Sequence, residues 1–478
     1  MDFLIGGANT LATGDIITNS LRLSKDSATY IYKDFDDTGT LNTKGTFSWW
    51  TKIYQQSGDM YMMSVRNDAS PEEHIHIRYQ NPMLQGQFYQ SSSQYAQIIT
   101  NNYFRDHSAW YHFVLKMDST DGTANNRIRL FVNNQEVSYA TQTMPSQNQD
   151  FIISKVATHQ FGNHYSGTGS HFDGGIAYVH FIDGQAKDPT DFGETNDNGV
   201  WIPKKYEGTY GDHGYKLEFK ETGTSQNASG IGADTSGNGN HFACNSLVAL
   251  DITTDTPQNN FCTLNSVANS SMTTLAEGNL KGTGNSSSNN GNSDSTFAVA
   301  NGKWYVEMKC TTRNTGSSAY YPTIGVAKAE NLGRLLNGGT GQAGNIADSA
   351  GYEADGNKRV GGTTSSHGSS LSDGNIVQVA LDMDNGAVYF GVNGTWQASS
   401  NPESGSSKTN AAHTWTADGR NYMFGLASYN SSVAEMNFGN PSFSISSGNA
   451  DANGYGNFEY AVPSGYYSLC TKNLAEYG

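Results

Sequence analysis

Apolar and polar residues alternate in short runs along most of this chain. The runs Thr46–Tyr54, His74–Tyr79 and Trp110–Met117 place apolar side chains at alternate positions. A period of two residues is that of a β-strand with one face against a core. A helical period is almost absent, apart from one short turn predicted within Glu330–Leu336. The pattern therefore predicts an all-β chain with under about a tenth of its residues in helices, against a usual third.

Turn residues separate these runs at roughly 8–15-residue spacing, which is typical of β-sandwiches. Asn133-Asn134 and Asn393-Gly394 favour positive φ and so predict tight hairpins. We predict two tandem antiparallel, jelly-roll-like β-sandwiches. The predicted segments are an N-terminal arm or anchor at 1–14, a first sandwich at 15–220, a connector at 221–255 and a second sandwich at 256–478. Within the second sandwich, the Gly/Asn/Ser-rich stretch Lys281–Ser293 predicts a loop tip.

Composition narrows the range of partners. Of the 478 residues, 15% are charged and 12% are aromatic, a mixture that suits short aromatic strands joined by turns. The net charge is −16, and no basic cluster is longer than Lys204-Lys205. Because phosphate backbones need a basic footprint, we expect no nucleic-acid partner. Residues 1–21 contain no Lys or Arg, unlike a signal peptide. No apolar run reaches the ~18 residues that span a bilayer, so we expect no membrane insertion.

The cysteines indicate a reducing compartment. Only Cys244, Cys262, Cys310 and Cys470 occur, and all of them lie in the second half of the chain. A disulfide framework would need more cysteines in a smaller domain. We therefore expect four free thiols in a protein that is made in the cytosol.

Both halves of the chain resemble known binding modules. The first half resembles the laminin G-like, concanavalin A-like sandwiches, through Phe47–Lys52, Trp110–Val114, Arg129–Asn133 and Phe172–Val179. The second half resembles SPRY domains, through Gly302–Glu307, Ile324–Val326, Asp382–Phe390, Val392–Gly394 and Phe424–Ala427. Ligands of both families contact loops at the sandwich edge. The resemblance therefore implies two concanavalin A-like sandwiches with a binding task, and it names no ligand.

The junction and the ending of the chain resemble virion proteins of tailed phages, especially marine ones. The residues concerned are Asp234–Asn240, Asp251–Phe261 and Pro463–Leu474. The resemblance implies a non-enzymatic virion surface protein, such as a tail or head fibre or a receptor-binding component, assembled in the host cytoplasm. The implied partners are other virion proteins, further copies of the chain in a homotrimer, and a glycan on the host surface. The alternatives are a structural protein that braces or decorates the particle and, less in keeping with the sequence, a secreted lectin or a glycoside hydrolase.

Four aromatic residues of the second half are candidates for stacking on sugar rings. Trp396 follows the predicted Asn393-Gly394 turn, Tyr320 and Tyr321 precede a predicted strand, and Tyr352 lies in a Gly-rich stretch. Each is expected near a loop end of the second sandwich. The alternative for each is that the ring caps the core.

Two sets of residues are candidate metal ligands. His74 and His76 occupy alternate positions of one predicted strand, so they share a face and could bind a metal; the alternative is a pair of surface histidines. Laminin G-like domains often bind calcium through loop carboxylates, and the resemblance implies Asp118, Asp121 and Asp173 as its ligands. Asp is also a common turn residue. No cofactor other than this Ca²⁺ ion is indicated.

The sequence predicts no enzymatic activity. Concanavalin A-like folds also include glycoside hydrolases, which place paired carboxylates on one strand face, as a Glu-x-Asp-x-Glu run would do. The nearest approach in this chain is Glu353 and Asp355, followed by Asn357 in place of a third carboxylate. No serine elbow with a supporting context occurs.

Overall fold

The computed structural model describes residues 17–55, 58–67, 72–80, 82–164, 170–315, 320–331 and 342–478. It is 45% strand and 7% helix, in several antiparallel sheets. The prediction of an all-β fold with under a tenth helix is confirmed. The proposed arm at residues 1–14 lies outside the described residues. Within the described ranges, no helix is long and apolar enough to cross a membrane.

The chain divides into two compact units after Gln258. The strands of the first unit are β1 Ser20–Leu23, β2 Tyr30–Phe35, β3 Lys44–Ile53, β4 Asp59–Asn67, β5 Glu73–Gln80, β6 Met83–Gln90, β7 Ser93–Thr100, β8 Trp110–Asp118, β9 Ile128–Val132, β10 Gln135–Glu136, β11 Tyr139–Thr143, β12 Ala157–Phe161, β13 Gly174–Asp183, β14 Gly193–Thr195, β15 Trp201–Pro203, β16 Tyr215–Leu217, β17 Ala243–Asn245 and β18 Ile252–Thr253. One sheet has the order β10-β9-β8-β3-β13-β1-β18, with β16 also paired to β13. The other has the order β11-β7-β6-β5-β4-β12-β2-β17, and β14 pairs with β15.

The main core of the first unit is built from both eight-stranded sheets. Trp49 on β3 and Phe113 on β8 come from one sheet, and Ile75 on β5 and Phe88 on β6 come from the other. Because side chains alternate along a strand, the even-numbered residues of β5 lie on the opposite face of the second sheet. This alternation places His74 and His76 outside the main core.

The expected connector is part of the first unit. Strand β17 pairs with β2, and β18 pairs with β1. Shortly after β18, Asp255 forms a salt bridge of 2.9 Å with Lys52 on β3, and both side chains are buried. The sequence predicts a connector at residues 221–255 because the stretch from Asn227 to His241 is rich in turn residues. In the structure these residues are stabilised by backbone pairing and by buried polar contacts. The pattern of apolar and polar residues in the sequence does not predict such contacts.

The second unit is also a pair of packed sheets. Its strands are β19 Leu264–Asn269, β20 Thr273–Ala276, β21 Lys281–Gly284, β22 Gly291–Ser295, β23 Lys303–Thr312, β24 Thr323–Lys328, β25 Ser349–Glu353, β26 Asn357–Val360, β27 Thr363–Ser366, β28 Ile376–Asp382, β29 Ala387–Val392, β30 Thr395–Trp396, β31 His413–Thr414, β32 Tyr422–Ser428 and β33 Val433–Asn437. One sheet has the order β19-β22-β32-β24-β25-β26-β27. The other has the order β20-β21-β33-β23-β28-β29-β30, with β31 paired to β29.

Helical segments are few among the residues that the structure describes. Short 3₁₀ segments lie at Ala124–Asn126, Ile152–Ser154, Pro189–Asp191, Ala249–Asp251, Ala329–Asn331, Gln397–Ser399 and Pro402–Ser407. The one α-helix among the described residues is α1, Thr471–Tyr477.

The core of the second unit again follows the alternation of the strands. Trp304, Val306 and Met308 on β23 face the main core. Tyr305, between them, belongs to a second apolar cluster on the other face of the same sheet. This outer cluster also contains Tyr389 of β29, and it forms the support for the candidate site described below.

None of the four cysteines forms a disulfide bond in the structure. Cys262, Cys310 and Cys470 are fully buried, whereas Cys244 is partly exposed. Burial raises the pKa of Cys310 to about 12 and that of Cys470 to about 11. These buried thiols therefore act as small apolar groups of the core, since the thiolate is the reactive form.

Candidate functional site

A tight hairpin shapes the candidate site in the second unit. Asn393 and Gly394 have φ values of 48° and 83°, which is the positive pair that a type I′ turn requires. Strand β30 then runs back along β29 and places Trp396 directly opposite Gly391. Gly391 has no side chain, and the space beside it is taken by the Gln378 side chain, whose Oε1 atom accepts a hydrogen bond of 2.7 Å from the backbone N–H of Gly394.

A groove of about 550 Å³ lies beside this hairpin. Its lining residues are Ser369, Ser370, Asn375, Val392, Asn393, Thr395, Trp396, Gln397, Ala398 and Ser399. Trp396 is the aromatic residue of this set, most of the others carry hydroxyl or amide groups, and none is charged. The groove therefore offers one flat apolar face surrounded by neutral hydrogen-bonding groups.

Trp396 is held in place by the outer apolar cluster. The half-buried indole packs against this cluster, which includes Tyr305, Tyr389 and Phe458. Trp396 is also one of the residues that line the groove. A side chain that is already fixed loses little rotamer freedom when a ligand contacts it, so this packing reduces the entropic cost of binding.

Two asparagines supply donors to the groove. The Oδ1 atom of Asn393 accepts a hydrogen bond of 2.9 Å from the backbone N–H of Ile376. The Oδ1 atom of Asn375 accepts one of 2.8 Å from the backbone N–H of Ser372. With the carbonyl oxygen engaged in this way, the NH₂ group of each amide remains as the donor that a ligand hydroxyl can use.

Gln397 and Tyr352 stabilise one wall of the groove through hydrogen bonds that already engage their own polar atoms. Gln397 accepts a hydrogen bond of 2.8 Å from the N–H of Ser369 and donates one of 2.7 Å to the carbonyl of Thr395. The hydroxyl of Tyr352 donates to the carbonyl of Ser369 at 2.6 Å. Tyr352 is fully buried, so its ring cannot stack on a ligand as the sequence suggested. It lies in the core because it falls on the inward face of β25, and it supports the wall from inside.

The Tyr320-Tyr321 pair lies away from the groove. Tyr321 is only 4% exposed and stacks on Tyr429 with ring centroids 5.4 Å apart. The half-buried ring of Tyr320 lies 4.5 Å from that of Tyr321. Neither residue lines the groove. Tyr321 therefore packs inside the unit, contrary to its expected exposure, and of the four predicted aromatics Trp396 is the one that borders the groove.

The proposed calcium ligands Asp118, Asp121 and Asp173 are not brought together. Asp118 pairs with the first residue of β3, whereas the residue after Asp173 pairs with the last residue of β3. Strand β3 has ten residues, and an extended strand of that length spans about 30 Å. Asp173 therefore cannot share an ion with the other two. Asp118 is moreover engaged in a salt bridge of 2.9 Å with Lys44.

The histidine pair is joined by a third imidazole. His74 and His76 stack on one face of β5 with ring centroids 5.4 Å apart. His164, just beyond the end of β12, lies edge-on to both rings, at 5.0 Å from His74 and 4.6 Å from His76. One nitrogen from each ring lies within 4.8 Å of the other two. Sequence reasoning missed His164 because it is distant along the chain and follows no ligand spacing.

The carboxylates that came nearest to a hydrolase pattern are engaged elsewhere. Glu353 is 1% exposed and forms a salt bridge of 2.7 Å with Arg359. Asp355 accepts hydrogen bonds from the backbone N–H and the side-chain amide of Asn357. Neither carboxylate lines the groove beside Trp396. The groove itself contains no acid or base among its lining residues.

Comparisons with solved structures return distant similarities. The chain is similar to a protein of Bacteroides ovatus that bears a provisional name as a carbohydrate binding protein, at 15% identity and a TM-score of 0.34, over 48% of this chain and 58% of that one. It is similar to the SPRY domain of human HERC1, at 18% identity and a TM-score of 0.27, over 36% of this chain and 96% of that one. It is also similar to a heptameric SAP-like pentraxin of Limulus polyphemus, at 14% identity and a TM-score of 0.28, over 36% of this chain and 79% of that one. The chain thus covers 58% of the length of the Bacteroides protein.

A comparison with curated proteins gives no match. A family model does match part of the first unit. Residues 26–189 match the model described as the concanavalin A-like lectin/glucanases superfamily, in its laminin G form. This range runs from just before β2 to the 3₁₀ segment after β13, and so it covers most of both large sheets. Within the first unit, the segment 26–189 is therefore similar to laminin G-like, concanavalin A-like domains.

Proposed function

We propose that this chain is a non-enzymatic binding protein that contacts a carbohydrate through the groove beside Trp396. The observation that carries the proposal is the lining of the groove, in which one half-buried indole lies among amides and hydroxyls without a charged residue. Sugar rings offer apolar C–H faces and many hydroxyls. An indole face complements the first, and neutral donors such as Asn375 and Asn393 complement the second.

The proposal includes the absence of bond cleavage. Glycoside hydrolysis needs two carboxyl groups, one on each side of the scissile bond. The groove has no carboxylate among its lining residues. Burial raises the pKa of Glu353, and its ion pair with Arg359 keeps this carboxylate within the sheet. These observations support a protein that holds a glycan without cleaving it.

The setting we propose is the surface of a tailed-phage virion, where the chain would act as a tail or head fibre or a receptor-binding component. The support for this setting is the resemblance of the junction and the ending of the chain. Both segments contribute buried polar contacts: Asp255 binds Lys52, and in the ending Ser468 and Asn473 both donate to the carboxylate of Asp451. Because these buried contacts require particular side chains, we expect related proteins with the same fold to share the residues that make them.

Open grooves of this kind bind each sugar weakly, so adhesion would require several linked copies. A homotrimer attached to other virion proteins is the simplest such arrangement. Linked sites act at a high effective concentration, and this raises the overall avidity without any new contact. The glycan would then be a component of the host envelope, and the protein would be assembled into the particle in the host cytoplasm.

Phage particles that carry Trp396→Ala are expected to adsorb to host cells at least tenfold more slowly than wild-type particles. The substitution removes the flat apolar face of the groove, and a loss of about 1.4 kcal/mol already corresponds to a factor of ten. Adsorption is measured as the decline of free phage after mixing with cells. Asn375→Ala serves as a second variant, because it removes one donor and leaves the outer cluster intact.

Tyr103→Ala is the matched control for this experiment. Tyr103 is 58% exposed and lies in the first unit, so its loss removes a surface aromatic outside the groove. Particles with this control should assemble and adsorb normally. If the Trp396 and Asn375 variants also assemble and adsorb like wild type, the second sandwich braces or decorates the particle and the receptor contact lies elsewhere.

A further inference from the structure

We propose that His74, His76 and His164 together bind one divalent late transition-metal ion, with zinc as the best match, and leave one coordination position to water. The three imidazoles come from two separate segments, strand β5 and the residues after β12. Strand β4 lies between β5 and β12 in the sheet, so the ion would tie the two segments together across it. This site is independent of the proposed carbohydrate groove.

The tautomer of His76 favours a metal ligand. Gln87 donates its amide N–H to Gln94 at 2.9 Å, which turns its Oε1 atom toward His76. That oxygen lies 2.9 Å from Nε2 of His76, so Nε2 carries the proton and Nδ1 carries the lone pair. Nδ1 is buried and has no hydrogen-bond partner among the described residues. A buried acceptor of this kind is costly to leave unsatisfied, whereas a metal ion would satisfy it.

Glu72 gives His74 the second partner that metal-binding histidines usually have. Its Oε1 atom lies 3.1 Å from Nδ1 of His74. A carboxylate beside one ring nitrogen fixes the tautomer and makes the other nitrogen a better ligand. In His74 this leaves Nε2 for the ion. Glu72 therefore lies at ion-pair distance from His74, although the two atoms do not meet the geometry of a hydrogen bond.

The cluster is chemically suited to a transition metal and unsuited to calcium. Neutral imidazole is the form that binds metals, and the side chains of all three histidines are largely buried. Calcium requires six to eight oxygen ligands, whereas three imidazole nitrogens suit zinc, copper or nickel. Arg66 and Arg78 also lie near the cluster, and the charge of Arg78 is paired with Asp59 at 2.9 Å.

Aromatic stacking holds the rings close to the geometry that an ion requires. The ring of Tyr89 stacks on His74 at 4.3 Å, and that of Tyr61 stacks on His164 at 4.5 Å. One nitrogen of each of the three rings lies within 4.8 Å of the other two. Zinc–nitrogen bonds of about 2.1 Å in a tetrahedral site bring the nitrogens to about 3.4 Å. Small side-chain rotations are enough to close this difference.

The test is calorimetric titration of the tag-free whole chain with ZnCl₂. The expected result is one Zn²⁺ per chain, together with a rise in the unfolding temperature of the first unit, since a ligand that binds the folded state stabilises it. CaCl₂ at the same concentration should not compete. Titration with Co²⁺ should give the visible absorption of a cobalt–nitrogen site.

His76→Gln and His164→Asn are each expected to weaken Zn²⁺ binding more than tenfold and to abolish the cobalt spectrum. Glu72→Gln should weaken binding about tenfold, as removal of such outer partners does. His413→Gln, in the second unit, is the control and should bind as wild type. If His76→Gln does not fold, His164→Asn decides, because His164 lies outside the strands. Absence of Zn²⁺ binding to wild type, or unchanged binding in the folded variants, would overturn the proposal.

Discussion

Replacing Asp255 with alanine is expected to lower the free energy of unfolding of the first sandwich by about 3–5 kcal/mol. The side chains of Lys52 and Asp255 are 0% and 1% exposed, and their charged atoms lie 2.9 Å apart. Trp110 also donates its indole N–H to the same carboxylate, at 3.3 Å. Removing the carboxylate would leave the Lys52 ammonium in a buried position without its main counter-charge, which is costly because water cannot solvate it there.

The effect is measured by denaturant unfolding of the whole chain, followed through the fluorescence of its tryptophans. An exposed ion pair provides the control. Lys205 and Glu207 are 61% and 74% exposed, and Lys205→Ala should change stability by less than about 1 kcal/mol. The double variant Lys52→Met, Asp255→Leu should recover much of the loss, since apolar residues of similar size remove the unpaired charge. A loss below 1 kcal/mol in Asp255→Ala would show that the pair is not buried as described.

The first sandwich is also expected to lose stability in mild acid. Complete burial lowers the pKa of both His112 and His159 from the ordinary value of 6.5 to about 3. Since their pKa values are lower in the folded state, the unfolded chain takes up protons first as the pH falls. The stability is therefore complete above pH 6.5 and declines between 6.5 and about 3. Each of these histidines contributes a decline of about 1.4 kcal/mol per pH unit.

Unfolding of the first unit at pH 7.5 and 5.5 measures this decline. His159→Phe is the test variant, because the ring of His159 already packs against Phe47 and Phe181 and a phenyl ring cannot titrate. Its acid loss between the two pH values should be smaller than that of wild type by about 1.4 kcal/mol. An acid loss identical to that of wild type would contradict the assignment of the titration to this residue.

The pKa of Asp294 in the second unit is shifted so that stability changes with pH in the opposite direction. Burial raises its pKa from 3.8 to about 7, so its folded form retains a proton that the unfolded chain releases. Its contribution to stability is complete below pH 3.8 and is lost as the pH rises toward 7. Between pH 5.5 and 7 this residue therefore makes the second unit less stable with rising pH, while the buried histidines make the first unit more stable.

Alternation of apolar residues predicted strands that build a core, such as β3, β5 and β8. Alternation did not predict strands whose side chains show no apolar pattern. The stretch Lys281–Ser293, expected as a loop tip, contains β21 and most of β22. These strands pair with β33 and β32, so the backbone hydrogen bonds of neighbouring strands stabilise a Gly/Asn/Ser-rich sequence that has little strand propensity of its own.

The candidate sites could be predicted only in part, for a similar reason. Local chemistry was sufficient to predict the Asn393-Gly394 turn and the position of Trp396, because both depend on neighbouring residues. Residues that meet through the tertiary fold left no signal in the sequence. His164 reaches the histidine pair from another strand, and Tyr352 turns inward because of the register of β25. The burial of Asp255 depends in the same way on its partner on β3.

The central claim is that the groove beside Trp396 binds a carbohydrate without cleaving it. Its most direct test is binding of the purified whole chain to an array of bacterial surface polysaccharides. Wild type, Trp396→Ala and Tyr103→Ala are compared. The chain length of each bound polysaccharide is determined before and after incubation. The account predicts that wild type and Tyr103→Ala bind the same polysaccharide, that Trp396→Ala binds it at least tenfold more weakly, and that its chain length does not change. Equal binding by folded Trp396→Ala, no binding by wild type, or shortening of the polysaccharide would contradict it.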